Sequence, residues 1–463
     1  DNHTHMHPDE RFLTMVETSI QLPENLRQYF DTQNSPLNPH NKGHTFFVYG
    51  TLPIFIVRVL GEWSGETGFD QIHLVGRAAS ASFDLISLYL VFLIGTRLYS
   101  RRVGLLAAAF SAFAVLLIQH AHFFVVDSFA NTFILAGIYF AVRALDDDRW
   151  LNFALFGLAL GMATASKISA APLAGVIVLT SVVRLWGSKD GLTQRQMVTQ
   201  ATKLLLAAAV SLMTFRLLQP YAFKSFSLAL NPAWLDNLAQ LRSLASGKGD
   251  FPPAYQWANR TPVWFSLKNL VLYGLGLPLG LLAWSAWGWA LVRSIRGDWQ
   301  RHLIPVAWTG GYFLWRSVGF VTAMRYQIPV YPTLALLAAW GLWEAWERLR
   351  GVRLMGRLRA GWLVAGLGAA VLAATAAYAI AFARNYTLPF TRYEASEWIY
   401  RNVPGPVNIV LEMDGAEVLE PMAVPNGTVL SPGEPLELPF TIREDASAVA
   451  VLLPYPEDIS GQT

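Results

Sequence analysis

The chain of 463 residues contains no cysteine and few charged residues, and both facts restrict the class of protein to which it can belong. Without cysteine it has no disulfide, no thiolate metal ligand and no cysteine nucleophile. Charged residues make up only 14% of the chain against 53% hydrophobic residues, and the formal net charge of +3 indicates no nucleic-acid surface. The sequence also lacks internal repeats and low-complexity tracts. This composition is typical of a mainly α, polytopic membrane protein.

Long apolar runs separated by short polar connections predict about ten membrane spans. A hydrocarbon core of about 30 Å needs roughly 20 helical residues. The run at 46–60 is short and carries Pro53 and Arg58, so we expect an interfacial or re-entrant helix there. The predicted spans are 77–96, 103–120, 128–145, 150–166, 168–187, 201–219, 267–292, 303–320, 327–347 and 360–383.

Basic residues recur at every second connection, and this alternation predicts the orientation of the chain in a cell membrane. They are Arg97, Arg101, Arg102, Arg143, Arg149, Arg184, Lys189, Arg195, Lys203, Arg293, Arg296, Arg301, Arg348, Arg350, Arg353, Arg357 and Arg359, and they mark the cytoplasmic side.

Three parts of the chain follow from this orientation. Residues 1–76 form an external first loop with juxtamembrane helices and an acidic motif, so a further helix is expected before Asp1. Residues 77–383 form the transmembrane domain, in which 220–266 is a large external loop. The part from 384 to 463 alternates short apolar runs with prolines, which favours a small external β domain.

Most isolated ionisable residues fall on the predicted external face. Ionisable groups at span ends are costly unless paired or hydrated, and their convergence suggests one functional site. Asp84 lies deeper in its span and is expected to pair with Arg77 on the same helix face. The external set contains eight histidines (His3, His5, His7, His40, His44, His73, His120, His122) and Asp9, Glu10, Lys42, Asp127, Lys167 and Arg325.

Four segments in this order resemble a known family. The segments HPDERF, VDSFAN, GMATASK and RYQIPVYP, followed by RYEASEWIY, resemble the family 39 glycosyltransferases of the GT-C class, which include protein O-mannosyltransferases and the lipid A aminoarabinose transferase. The similarity covers roughly residues 5–350. The resemblance implies a GT-C-like helical bundle, a polyprenyl-phosphate-linked sugar as donor, and an acidic first-loop motif in which Asp9 holds the position of the catalytic acid.

The acidic pair suits such a transfer. A carboxylate within hydrogen-bond reach takes the proton of the acceptor hydroxyl as the oxygen attacks the anomeric carbon. Asp9 is the first candidate for this base, and Glu10 is a candidate to orient the acceptor or share the proton. The alternative for Asp9 is a purely structural role as a helix cap, since an acidic residue before a helical run satisfies free backbone N–H groups.

Cations and polar side chains at the same face are candidates for donor binding. The leaving phosphate gains charge, and Lys42, Lys167 and Arg325 are predicted to stabilise it. Snorkelling to lipid headgroups is the alternative for these three. Asp127 begins a span, where the helix dipole alone favours an acid, and the resemblance implies that it faces the same cavity. Tyr326 in RYQIPVYP and Tyr221 in QPYAF are predicted to line that cavity.

The histidines permit a divalent metal ion, with His7 and His122 as the candidate ligands. Their spacing matches no closed zinc pattern, and the resemblance implies no fixed metal requirement. We therefore expect no obligatory cofactor, and a divalent metal ion stays the alternative.

The sequence predicts an inverting membrane glycosyltransferase with an external active site, membrane lipids around it and an acceptor of unknown type: protein, lipid or glycan. A transporter of a lipid-linked or anionic solute is the alternative, because intramembrane charges also mark transport paths. Transporters tend to contain inverted repeats and midplane sites, whereas the polar residues here cluster at one face. A catalytically silent scaffold that presents the C-terminal domain is the third reading.

Overall fold

The computed structural model describes residue 5 and residues 7–186, 193–247, 252–354, 358–402, 408–413 and 416–421. The described chain is mainly helical, as the sequence predicts. It divides into two compact units. One comprises His7–Ala383, and the other comprises Asp1–Met6 and Arg384–Thr463.

The first loop folds into short helices on the helical body: α1 (Pro8–Ser19), α2 (Leu26–Phe30) and α3 (Thr51–Ser64). The apolar run at 46–60 supplies most of α3. Gly50 precedes α3 and donates its N–H to the Ser166 carbonyl at 3.1 Å, and a Cβ at this position would overlap the Ala165 carbonyl oxygen. Glycine is needed there because two backbones approach closely.

The described part of the rest of His7–Ala383 contains thirteen further helices. Shorter 3₁₀ turns occur at Pro39–Lys42, Ile168–Leu173, Pro220–Ala222, Pro252–Trp257 and Met324–Val330, and a π turn at Leu270–Gly274. Strands β1 (Arg353–Leu354) and β2 (Leu358–Arg359) pair antiparallel. The helices are α4 (Phe69–Leu98), α5 (Arg101–Ala112), α6 (Val115–Ala121), α7 (Val126–Asp146), α8 (Trp150–Ser166), α9 (Ala174–Trp186), α10 (Gln194–Leu218), α11 (Pro232–Ala245), α12 (Trp264–Asn269), α13 (Leu277–Ile295), α14 (Trp299–Ser317), α15 (Tyr331–Leu349) and α16 (Ala360–Ala383).

By length and composition, five of the described helices are able to cross a membrane, or six if the α5–α6 pair, bent by 65°, forms one span. This finding supports an integral membrane protein. The other predicted spans correspond to α8, with 17 residues, and to α13, α14 and α15. The number of ten spans stays a prediction.

Helices α7 and α15 form the centre of the helical body. α7 packs against α4 and α8, and α15 packs against α5 and α13. Residues on all sides of α7, such as Phe129, Ile134 and Ile138, are buried, as expected of a central helix. α7 therefore holds its first turn, which contains Asp127, in a fixed place.

The second unit contains α17 (Thr391–Asn402) and a hairpin of β3 (Asn408–Met413) and β4 (Ala416–Pro421). The hairpin is antiparallel, with Asn408 opposite Pro421 and Met413 opposite Ala416. Two of the short apolar runs on which the predicted β domain depends, 436–442 and 448–453, lie outside the described residues. The small β domain at 384–463 stays a prediction.

Candidate active site at one end of the helical body

Asp9 lies in the first turn of α1. The ring of His7 caps this helix by accepting the Glu10 N–H at 3.3 Å, and Pro8 occupies its first position, where the missing N–H costs nothing. One Asp9 carboxylate oxygen, Oδ1, accepts the Tyr49 hydroxyl at 3.0 Å. The other, Oδ2, pairs with Arg325 Nη1. The carboxylate is 13% exposed and thus lies inside the site with two partners.

Tyr49 is a partner that the sequence analysis did not identify. Burial raises the pKa of its hydroxyl, and the nearby Asp127 and Tyr326 raise it further. The phenol therefore stays protonated and acts as a donor to Asp9. It follows a short apolar segment without a recognisable motif, so only the folding of 20–50 back onto α1 brings it to the carboxylate.

Glu10 points away from Asp9 into the body and is completely buried. Its carboxylate accepts two hydrogen bonds from Arg77, from Nε at 2.7 Å and Nη2 at 2.6 Å, and a third from the Phe124 N–H at 2.9 Å. The expected Arg77–Asp84 pair is wrong: Arg77 pairs with Glu10, and Asp84 forms no ion pair among the residues that the structure describes. Glu10 thereby ties α1 to α4 and to the chain before α7.

Asp127 and Lys167 meet directly. Asp127 is in the first turn of α7, and its Oδ1 accepts from Lys167 Nζ at 2.6 Å. Lys167 ends α8 in an extended conformation, before the 3₁₀ turn at 168–173. The break in the helix lets the ammonium face the first turn of α7. The Lys167 ammonium also lies 5.2 Å from the centre of the Tyr326 ring.

Three cations surround the Tyr326 ring. The guanidinium of Arg316 lies 4.3 Å from the ring centre and that of Arg325 lies 5.6 Å from it, beside Lys167 at 5.2 Å. Cations at such distances are attracted by the face of an aromatic ring. Arg316 was missed by the sequence analysis; within the described residues it has no carboxylate partner, and its Nε is buried without a hydrogen bond. A pocket at this point is lined by Asp127, Asn131, Lys167, Tyr312, Arg325 and Tyr326.

The site therefore contains two carboxylates, Asp9 and Asp127, and three cations, Lys167, Arg316 and Arg325. Each carboxylate has one cationic partner, and Arg316 remains in excess. An excess of positive charge at a partly buried site favours an anionic ligand.

Two of the predicted external histidines, His7 and His120, lie close enough to Asp127 to interact with its charge. Burial lowers the pKa of His7 to about 4, so the ring is neutral near pH 7, and it stacks on Phe123 at 4.5 Å. His120 and His122 direct Nδ1 to the carbonyls of Leu116 and Ile118. No group of three or more His, Asp or Glu side chains in the described part of the chain is arranged to hold a metal ion. Metal binding by His7 and His122 stays a prediction.

Two predicted ligands lie elsewhere. Tyr221 is buried with Tyr29 and Phe55, and its hydroxyl is 2.8 Å from Ser35 Oγ, so it packs against the first loop and does not line the pocket beside Lys167. Lys42 ends the 3₁₀ turn Pro39–Lys42 and forms no ion pair among the described residues. The structure brings together Asp9, Asp127, Lys167, Arg325 and Tyr326, and not these two.

One family model matches part of the helical body. The family model of the dolichyl-phosphate-mannose-protein mannosyltransferases matches residues 69–220, which include Asp127 and Lys167. No curated protein matches the chain in sequence.

Two solved structures have a similar fold. The apo oligosaccharyltransferase of Archaeoglobus fulgidus is 14% identical, with a TM-score of 0.51 over 89% of this chain and 59% of that one. The ArnT protein of Cupriavidus metallidurans, solved with undecaprenyl phosphate, is 14% identical, with a TM-score of 0.50 over 86% of this chain and 79% of that one. This chain thus spans less than two thirds of the length of the oligosaccharyltransferase. The resemblance to the GT-C glycosyltransferases is therefore confirmed, by the family model over residues 69–220 and by the fold of the helical body.

Proposed function

We propose that this chain is a membrane glycosyltransferase that moves a sugar from a polyprenyl-phosphate donor to an acceptor hydroxyl with inversion. The observation that carries this proposal is the pairing of Asp9 with Arg325, next to the Tyr326 ring that Arg316 and Lys167 also contact. A base thus lies beside cations suited to a phosphate. The matched family and the undecaprenyl phosphate of ArnT are consistent with such a donor.

The reaction is a single displacement. The acceptor oxygen forms a bond to the anomeric carbon while the bond from that carbon to the phosphate oxygen breaks, and one displacement inverts the configuration. Asp9 takes the proton of the acceptor hydroxyl, and Tyr49 fixes the orientation of the carboxylate. The electron pair of the broken bond stays on the polyprenyl phosphate.

The cations stabilise the charge that develops on this leaving group. Preorganised donors aimed at developing charge lower the barrier most effectively where water is excluded. Arg316 has no competing carboxylate within the described chain, and Arg325 offers a planar fork suited to two phosphate oxygens. Lys167 is held by Asp127 at 2.6 Å and contributes from a fixed position.

The Asp9–Arg325 pair couples donor binding to activation of the base. A donor phosphate competes with Asp9 for the Arg325 guanidinium. When Arg325 turns to the phosphate, Asp9 is released to accept the proton of the acceptor. The base is thereby free when the donor is bound.

Glu10 is proposed to position the base rather than to exchange protons. Its three hydrogen bonds occupy a fully buried carboxylate. These contacts fix the N-terminal turn of α1, and with it Asp9, against α4 and α7. The site lies at the ends of helices. This position supports an enzyme rather than a transporter, because transporters typically bind solutes near the bilayer midplane.

We also propose that this site and residues 384–463, with their small β domain, lie outside the cell membrane. The basic connections at 97–102, 184–203 and 348–359 support this orientation. Labels at 188–198 should then be inaccessible to an impermeant reagent in intact cells, whereas labels at 245–250 and beyond 440 should react. Labelling of the opposite pattern would contradict the orientation.

Turnover of the purified protein with labelled polyprenyl-phosphate sugars tests the activity. We expect release of polyprenyl phosphate with at least one donor, loss of release in Asp9→Asn, and full release in Asp236→Asn. Asp236 is a matched control because it is exposed on α11 and absent from the site. If the donors remained intact in every reaction although they bound, the chain would not be a transferase.

A further inference from the structure

A second polar cavity lies at the opposite end of the helical body from Asp9. It has a volume of about 760 Å³ and opens between the ends of α4, α7 and α9 and the starts of α10 and α14. Asp127 begins α7 at the active site, and Asp146 ends α7 at this cavity. At 1.5 Å per residue these two ends are about 28 Å apart, close to the thickness of a hydrocarbon core. We term this cavity the basal pocket.

The basal pocket contains more positive than negative charge. Its lining contains four arginines and two aspartates. Asp146 pairs with Arg97 at 3.0 Å. Asp148 is within 3.3 Å of Arg184 and 2.7 Å of Lys203, which lies behind the lining. Both carboxylates are thus neutralised by cations of the protein itself.

Two other arginines of the lining form no ion pair with a carboxylate among the described residues. Arg195, in the first turn of α10, and Arg301, in the first turn of α14, are exposed and line the basal pocket. Neither forms an ion pair with another described residue. Guanidinium groups bind phosphate oxygens in a bidentate manner.

The rest of the lining contains apolar side chains. Leu98, Val142, Leu145, Val183 and Leu185 form this part of the wall. A cavity with both cationic and apolar walls at the end of a helix bundle is suited to an amphiphilic ligand, because the charged group and the hydrocarbon of such a ligand require different surroundings.

The lining also contains the buried amide of Gln200. It is 6% exposed, donates its amide to Asp148, and its Oε1 is buried without a hydrogen-bond partner among the described residues. A buried acceptor of this kind is costly unless a donor reaches it. A hydroxyl on the headgroup of a ligand supplies such a donor.

We propose that the basal pocket binds the phosphate of an anionic phospholipid whose headgroup carries hydroxyls, with Arg195 and Arg301 as its main contacts. This lipid is distinct from the sugar donor, because the pocket lies at the other end of α7. The proposal does not depend on the glycosyltransferase activity.

Native mass spectrometry of the detergent-solubilised protein, titrated with phosphatidylglycerol or phosphatidylcholine, tests the proposal. We expect tighter binding of phosphatidylglycerol, and Arg195→Gln and Arg301→Gln should each weaken it roughly fivefold, the loss expected for one basic contact to an anionic headgroup. The double variant should lose roughly 25-fold if the contacts are independent. Equal melting temperatures establish that the variants are folded.

Arg296→Gln is the matched control, since Arg296 is exposed at the same end of the body and does not line the pocket. It should bind phosphatidylglycerol as the unchanged protein does. A separate titration with inorganic phosphate separates lipid from free phosphate. Equal lipid binding in all four variants, or phosphate binding without phosphatidylglycerol binding, would overturn the proposal.

Discussion

Replacing Glu10 tests whether a buried ion pair fixes the active-site helix. The Glu10 carboxylate is fully buried and accepts three hydrogen bonds, while the side chain of Arg77 is 22% exposed. Removing one partner of a buried pair typically costs about 3–5 kcal/mol, because the other charge stays buried. The partial exposure of Arg77 places Glu10→Ala near the lower value, about 3 kcal/mol. Glu10→Gln keeps the side-chain volume and one hydrogen-bond acceptor, so we expect it to lower the free energy of unfolding by about 1.5–3 kcal/mol.

Thermal unfolding in detergent, followed by the fluorescence of the 17 tryptophans, measures this order. Glu347→Gln serves as the surface control: Glu347 pairs with Arg350 at 2.9 Å, their side chains are 34% and 59% exposed, and a loss of less than about 1 kcal/mol is expected. The melting temperature should fall most in Glu10→Ala, less in Glu10→Gln and least in Glu347→Gln. If Glu10→Ala melted together with Glu347→Gln, the buried pair would not anchor α1, and the positioning role proposed for Glu10 would fail.

Four further substitutions probe the site and its surroundings. Asp9→Asn should lower turnover by about 10²- to 10⁴-fold. Donor affinity should stay equal or rise, because Arg325 no longer pairs with a carboxylate. A parallel loss of donor binding in equilibrium titrations would argue against Asp9 as the base. Arg325→Lys should lower turnover more than its conserved charge suggests, since the planar fork is lost. Lys167→Met should weaken donor binding and also lower the melting temperature, because it leaves the buried Asp127 carboxylate without its cationic partner. Wild-type kinetics in both variants would reject the phosphate contacts. Burial raises the pKa of Glu17 well above its usual value, so the folded state binds the proton of this carboxyl more tightly than the unfolded state does. The stability that this group contributes therefore falls as pH rises above about 4.5. Glu17→Gln should flatten that part of the pH dependence of the melting temperature, and an unchanged profile would contradict this assignment.

Much of the fold and part of the site were predictable from sequence. Apolar runs gave helices at or near the predicted positions, because burial of backbone polar groups in lipid forces internal hydrogen bonding whatever the neighbours are. The first-turn position of Asp127 and the break after Lys167 also follow from local sequence, since each marks the end of an apolar run. The bend between α5 and α6 was not predicted, because a continuous apolar run does not reveal a break of its helix axis.

The partners of the charged residues were less predictable. Arg77 was expected to pair with Asp84, seven residues along the same helix, yet it binds Glu10 from a separate segment. Local spacing identifies only pairs within one helix, whereas the Arg77–Glu10 pair depends on where α1 docks. Tyr49 and Arg316 were missed for the same reason: neither is in a recognisable motif, and both reach the site through tertiary packing.

The sequence by itself determined that the chain is a mainly helical membrane protein and where most of its helices lie, because these depend on composition and on the apolar period along one chain. Only the tertiary structure decided that Asp9 and Glu10, neighbours in sequence, have different surroundings: Asp9 pairs with Arg325 and Tyr49, and Glu10 is buried against Arg77 and the Phe124 N–H. Successive residues of a helix point about 100° apart, so the packing around α1 assigns each carboxylate its partners. That division follows from distances between segments, which no local pattern encodes.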